Sequence, residues 1–385
     1  MFSKKQFTYA LATLLIAVLF SGVMFTRGAR AQQQQQTQTP VTTQQDRTRP
    51  RRAVDSPRTT TPPQQTESSG NDTTLQDDDD VVRVETDLTN ILFTAVDKQK
   101  RFITTLKSED VRILEDGQPQ EIFAFQRQTD IPLSLAILID TSASEERTLP
   151  AEKSAASAFV DAVLRPGKDE VAVVSFTGDA TLEQGLTGNV SRVRSAIDRV
   201  EFVPPSGYIG GGQVAGTPPI SGTNQTVAGS TAIWDAIYTT TDEELSHTSD
   251  KTRRAIILLT DGVDTYSRTK MSEAIDRAVK ADTVIYSIGI GDDMFGGIDE
   301  GSLKKVSERT GGRAFFPRDE SELRAAFGQI QEELRSQYLV AYSPTNKNRD
   351  GSYRRVQIEV LNPDLRKNLR LTYRQGYFAK TPGSK

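Results

Sequence analysis

Two runs of oxygen-bearing side chains follow directly on apolar stretches. Residues 133–139 are strongly apolar and end in Asp140-Thr141-Ser142-Ala143-Ser144, and residues 255–259 lead through Thr260 into Asp261-Gly262-Val263-Asp264. Alternate side chains of an extended loop share a side, so Asp140, Ser142 and Ser144 face one ligand together. Carboxylates and hydroxyls without nitrogen or sulfur suit a hard cation, Mg²⁺ or else Mn²⁺ or Ca²⁺. Other chemistries are poorly served. The chain has no Cys, and His247 is its one His. That excludes structural zinc, which needs Cys or His ligands in number, and leaves nucleophilic triads no route except through His247. His247 sits in Glu243-Glu244-Leu245-Ser246-His247-Thr248, the pattern of a frayed helix end with a solvated imidazole. Metal-dependent hydrolysis would need a carboxylate free of metal duty, and only Asp264 and Glu145 are at hand. Asp264 reads better as support for its own loop. The chain is therefore read as a binding protein and not an enzyme. Gly210-Gly211-Gly212 is no phosphate loop, because no strand leads into it and no Lys-Ser/Thr follows.

The elements around these loops alternate between strand and helix. Residues 133–139, 171–176, 255–259 and 284–290 are apolar runs of the kind that strands buried on both faces require. Between and after them, apolar residues recur at helical spacing: Ala155, Phe159, Ala162 and Val163; Val190, Val193, Ile197 and Val200; Ile275, Ala278 and Val279; Leu323, Phe327, Ile330 and Leu334. Alternation of this kind predicts an α/β domain over 131–335, a doubly wound and mostly parallel sheet whose ligand sits at the carboxyl ends of its strands. A Gly/Pro/Ser/Thr-rich stretch at 204–229 interrupts it, either as a flexible insertion or as part of a partner surface.

Both flanks read as β-structure. In 81–127, Asp116-Gly117 marks a tight turn between 111–114 and 121–125. In 336–379 the strands are 338–342, 354–360 and 369–373, with a turn at Asp350-Gly351. Each flank is near the size at which an independent core becomes marginal. Each also has an apolar face, through Phe93, Ile113 and Phe123 in one and Val340, Val356, Ile358 and Leu371 in the other. The expectation is one β-sandwich made from both flanks, with the α/β domain inserted in it. The alternative is two small separate sheets.

Asp140-x-Ser142-x-Ser144, Thr231 in Gly229-Ser230-Thr231-Ala232, and Asp261-Gly262 together resemble the metal-ion-dependent adhesion site of von Willebrand factor type A and integrin I domains. The resemblance covers about 131–335. It implies that Ser142, Ser144 and Thr231 contact the cation through hydroxyls, that Asp140 and Asp261 act directly or through water, and that an acidic side chain of a protein partner takes the open position. An under-neutralised cation attracts such a carboxylate. The flanking motifs, Leu106-x-x-Glu109-Asp110-Val111-x-Ile113-x-Glu115-Asp116-Gly117, Gln337-Tyr338-Leu339-Val340-Ala341-Tyr342-Ser343-Pro344 and Arg374-Gln375-Gly376-Tyr377-Phe378, resemble exported bacterial VWFA-related proteins of the acidobacterial type.

Export also follows from the N-terminus. Lys4 and Lys5 precede an uncharged apolar run at 7–25, and Ala29-Arg30-Ala31 fits a cleavage site. Residues 1–31 are thus a signal peptide, or an uncleaved anchor, since about 20 apolar residues can span a bilayer. Residues 32–80 are Gln/Thr/Pro-rich and read as a disordered tether. The net charge of −4 on 385 residues gives no reason to expect nucleic acid as partner. The expected function is divalent-cation-dependent protein binding or adhesion at the cell envelope or outside the cell. The alternative is a scaffold in an envelope complex whose metal is purely architectural.

Overall fold

The structure is a computed structural model and describes residues 88–127, 131–204, 208–209, 213–214, 230–249, 251–291 and 297–382. The expected targeting segment 1–31, the tether 32–80 and most of the 204–229 stretch lie outside the described residues. No helix among the described residues is long and apolar enough to cross a membrane.

The chain opens with four strands, β1 (Thr89–Asp97), β2 (Val111–Glu115), β3 (Gln118–Gln120) and β4 (Ile122–Arg127). The α/β part follows with β5 (Leu133–Asp140), α1 (Leu149–Val163), β6 (Glu170–Phe176), β7 (Ala180–Thr187) and α2 (Val190–Arg199). A two-residue ladder, β8 (Tyr208–Ile209) with β9 (Gln213–Val214), precedes α3 (Ile233–Thr239), β10 (Arg253–Thr260) and α4 (Met271–Lys280). This part ends with β11 (Thr283–Gly289), α5 (Glu300–Thr310), β12 (Ala314–Phe315) and α6 (Glu320–Arg335). Last come β13 (Tyr338–Tyr342), β14 (Tyr353–Val360), α7 (Pro363–Arg366), β15 (Leu369–Tyr373) and β16 (Gly376–Phe378).

The central sheet has six strands in the order β12-β11-β10-β5-β6-β7. All its pairings are parallel except that of the edge strand β7. Period-2 alternation splits β5 between two cores. Leu135, Ile137 and Ile139 pack on one face with α1, α2 and α6, while Ala136 and Leu138 pack on the other with α3, α4 and α5. Helices on both faces explain why every residue of β5 and β10 is buried. On α1 the buried stripe runs through Ala155, Ala156, Phe159, Val160 and Val163, whereas Ala162 is exposed. The expected face was thus about one residue position off. Strand β7 and helix α5 had no clear signal in the sequence. The first is a half-exposed edge, and the second buries only Leu303 and Val306 among its apolar residues.

The flanks form two four-stranded antiparallel sheets, β15-β1-β13-β4 and β16-β14-β2-β3. Each sheet takes two strands from each end of the chain. One core joins them, built from Ile91, Phe93, Ile113, Tyr338, Val340, Val356 and Ile358. The α/β domain is therefore an insertion in a composite sandwich, and the C-terminal flank supplies a fourth strand, β16.

Two expectations need correction. Phe123 is 71% exposed and not in the core. The register slips where Ala341 pairs with Ala124 and Tyr342 with Ile122, so Phe123 is the extra residue of a bulge. The bulge turns Ile122 and Phe125 inward together. The Asp116-Gly117 turn is in place, with φ of 48° and 83°, but its return strand is the polar β3 rather than 121–125. Residues of β4 cross to the other sheet and pair with β13.

A buried polar cluster ties the two flanks together. Glu115 of β2 accepts hydrogen bonds from the hydroxyls of Tyr342 and Tyr377, each at 2.8 Å, and lies 3.3 Å from the Arg354 guanidinium. Tyr338 donates to the Ile103 carbonyl and accepts from the Leu106 N–H, both at 3.0 Å. These contacts give the flanking motifs a structural role. Deleting residues 337–385 would strip β1 and β4 of their partners, take β14 from β2 and leave Glu115 without its bonds, a loss of several kcal/mol. Limited proteolysis of that truncated chain is expected to cut within 88–127 at least about tenfold faster than in the full chain. Unchanged protection would contradict the composite core.

Candidate metal centre

The first loop leaves the carboxyl end of β5. Asp140 is fully buried there, and both its oxygens are engaged: Oδ1 accepts the Ser142 N–H at 2.9 Å, and Oδ2 accepts the Thr260 hydroxyl at 2.6 Å. The Ser142 and Ser144 hydroxyls lie 3.2 Å apart, so both reach one small volume. Thr141 points the other way and anchors the loop to the Phe176 carbonyl of β6.

The second loop leaves β10. Asp261 accepts the Val263 N–H at 2.9 Å and the Ser144 hydroxyl, which joins the two loops. Gly262 has φ of 85°, and a Cβ there would lie 2.8 Å from Leu303 Cγ. Only glycine fits that turn.

Thr231 sits on the third loop, buried ahead of α3. Its carbonyl accepts the N–H groups of Thr265 and Tyr266, and its own N–H donates to the Thr265 hydroxyl at 2.9 Å. The next residue, Ala232, donates to the Thr177 carbonyl at 2.7 Å. The loop is therefore pinned between the ends of β6 and β10. Asp264 completes this lacing by accepting the Ile233 N–H at 2.8 Å and the Ser267 hydroxyl at 2.5 Å. It caps α3 from another loop, in keeping with the expected role of loop support. His247 is exposed, and its Nδ1 lies 3.0 Å from the Glu243 carbonyl at the end of a π-helical turn, Thr240–Leu245.

The site holds more acid than the five-residue motif contains. Carboxylate oxygens of Asp140, Glu145 and Asp261 lie within 4.8 Å of one another. Glu145, in the one-turn 3-10 helix Ala143–Glu145, is buried. Its Oε2 accepts the Thr148 hydroxyl at 2.6 Å, and its Oε1 has no partner. Glu152 on α1 is also buried, and its carboxyl faces Thr148 and Glu145. Its position is part of an apolar helical stripe, so periodicity marks it for burial, but nothing local marks it as part of this site.

Burial dominates the electrostatics. It pushes Asp140 from 3.8 up to about 7, against the hydrogen bonds from Thr260 and Ser142, with Asp261 adding to the rise. Glu152 is pushed up to about 7 in the same way. Asp261 is raised by burial, and Glu145 is raised well above the carboxylate range by burial and then by Glu152 and Asp140. Three clustered carboxyls, with an orphaned oxygen on Glu145, fit a bound cation, which supplies the missing charge and partner at once. The donors are all oxygen, the set that hard divalent ions take.

A cavity of about 590 Å³ lies at the opposite, amino end of the parallel strands, against the sandwich, where Arg253, Glu333, Phe93 and Leu339 help to line it. It has no part in these loops.

Residues 135–263 match a family model described as von Willebrand factor type A domain, and residues 220–331 match a second with the same description. No curated protein matches the chain. Among solved structures, proximal thread matrix protein 1 from the mussel byssus is 19% identical, with 57% of this chain and 51% of that one covered and a TM-score of 0.43. The chain thus spans about half the length of that protein. The conserved hypothetical protein BatB from Bacteroides thetaiotaomicron is 19% identical, with 53% and 100% covered and a TM-score of 0.39. A von Willebrand factor type A protein from Catenulispora acidiphila is 15% identical, with 69% and 75% covered and a TM-score of 0.40.

Proposed function

We propose that this chain, which carries a von Willebrand factor type A domain, is a divalent-cation-dependent protein-binding module and not an enzyme. The observation that carries the reading is the buried oxygen cluster at the carboxyl ends of β5 and β10, where hydroxyls and carboxylates converge. Asp140, Ser142, Ser144, Thr231 and Asp261 would hold the ion, Mg²⁺ or else Mn²⁺ or Ca²⁺. A bound cation supplies a positive point charge to which an acidic side chain of a protein partner can bind. The three loops contribute rigidity: Thr260, Thr141 and Asp264 lock them to the sheet and to α3, so little ordering entropy is lost on binding. Asp264, one of the two carboxylates at hand for general-base work, is committed to capping.

The chain acts outside the cytoplasm in this reading. Residues 1–31 direct export as a signal peptide or anchor, and 32–80 tether the folded part. A second reading, an envelope scaffold with an architectural cation, is favoured by the burial of Asp140 and Ser142.

Partner capture separates the two. Envelope proteins retained on the immobilised full chain in Mg²⁺ are expected to be released by EDTA and not to be retained by Thr231→Ala. Thr231 is a hydroxyl on a loop held through its backbone, so the variant should melt within about 2 °C of the parent. Capture indifferent to EDTA and to Thr231→Ala would favour the scaffold.

A further inference from the structure

Glu145 has no place in the five-residue motif, yet its carboxylate reaches the same volume. Ligands of one divalent ion, at about 2.0–2.6 Å from it, can be no more than about 4–5 Å apart. The carboxylate oxygens of Asp140, Glu145 and Asp261 meet that condition, lying within 4.8 Å of one another. An independent observation points the same way. Glu145 Oε1 is buried with no N–H or hydroxyl donating to it, while Oε2 is held by Thr148. A buried carboxylate with one steered oxygen and one orphaned oxygen is costly unless a cation completes it.

We propose that Glu145 is an internal ligand of the cation and closes the coordination position that an acidic partner would otherwise take. The proposal rests on the metal-dependent reading above and adds a regulatory step to it. With Asp140, Glu145 and Asp261 together, three negative charges face a divalent ion, and the attraction for a further carboxylate falls. The resting centre is self-closed. A partner must displace Glu145, which swings from the ion while Thr148 still holds its other oxygen. The loop that bears Glu145 also bears Ser142 and Ser144, so the release of one ligand is coupled to the geometry of the other two.

The test uses the full chain, terbium luminescence lifetimes in H₂O and D₂O to count waters on the bound ion, and calorimetry with Ca²⁺ and then acetate as the carboxylate probe. Glu145→Ala is expected to gain at least one coordinated water and to bind Ca²⁺ at least about tenfold more weakly. Loaded with Ca²⁺, it is expected to bind acetate at least about tenfold more tightly than the parent. Glu145→Gln, which keeps the shape, should show the same loss of Ca²⁺ affinity if Glu145→Ala fails to fold. An unchanged Ca²⁺ affinity in a folded variant, with unchanged water count and acetate binding, overturns the internal ligand and leaves the metal centre standing. Absence of any cation binding in the parent overturns both readings.

Discussion

At pH 8 the cation-free chain is expected to melt about 10 °C or more below the chain loaded with Mg²⁺, and at pH 5 the gap is expected to shrink to a few degrees. The acids of the centre carry this effect. Burial raises Asp140 from 3.8 to about 7 and Glu152 from 4.5 to about 7, and raises Glu145 and Asp261 in the same direction. An acid with a raised folded value contributes its full stability below its unfolded value and loses it as pH rises through the folded one. Without a cation, stability from this cluster is therefore present near pH 4 and is lost by about pH 8. A bound divalent ion reverses the preference, because it needs the charged oxygens that protons otherwise occupy. Melting curves from pH 5 to pH 8, with Mg²⁺ or with EDTA, give both limbs. A gap independent of pH would show that the acids are not the ion's ligands.

Asp140→Asn is expected to have opposite effects on stability and on binding. Its neutral carbonyl oxygen still accepts the Ser142 N–H, and the buried charge is gone, so the cation-free protein should melt several degrees higher than the parent. Cation affinity should fall about 100-fold or more, because a direct or water-bridged anionic ligand is lost and the Thr260 hydroxyl loses its acceptor. Asp261→Ala should also weaken binding strongly, with a smaller gain in stability, because Asp261 is less buried than Asp140. Calorimetric titration of one divalent site together with EDTA melting curves measures both quantities. Equal cation affinity in the parent and both variants would remove the metal centre from these residues.

Much of the architecture was legible in the sequence for a local reason. A strand covered on both faces has to be apolar throughout, so β5, β6, β10 and β11 read directly from Leu133, Val171, Ala255 and Val284 onward. The two acid-bearing loops follow from the same fact, since Asp140 and Asp261 are the first acids after two such runs. The insertion of one domain in the other was legible from size and from apolar faces that neither flank could cover by itself. The half-exposed β7 and the sparsely apolar α5 were not legible, because an element that buries few residues leaves little periodic signal.

By itself, then, the sequence determined the strand-and-helix alternation, the oxygen-bearing side chains that follow the buried strands and the need for a shared core, because each depends on residues close together in the chain. Tertiary structure decided what lies opposite each of them. Phe123 turns outward because β13 offers one residue against two at the bulge, which no pattern within 122–127 reveals. Glu115 is buried because Tyr342, Arg354 and Tyr377 come from more than 200 positions away to meet it. Glu145 looks like an ordinary surface acid of a helix start, and Glu152 falls in an apolar stripe with nothing local to tie it to these loops. They come to lie beside Asp140 and Asp261 only in the folded chain, since the cost of burying a charge is set by neighbours in space and not by neighbours in sequence.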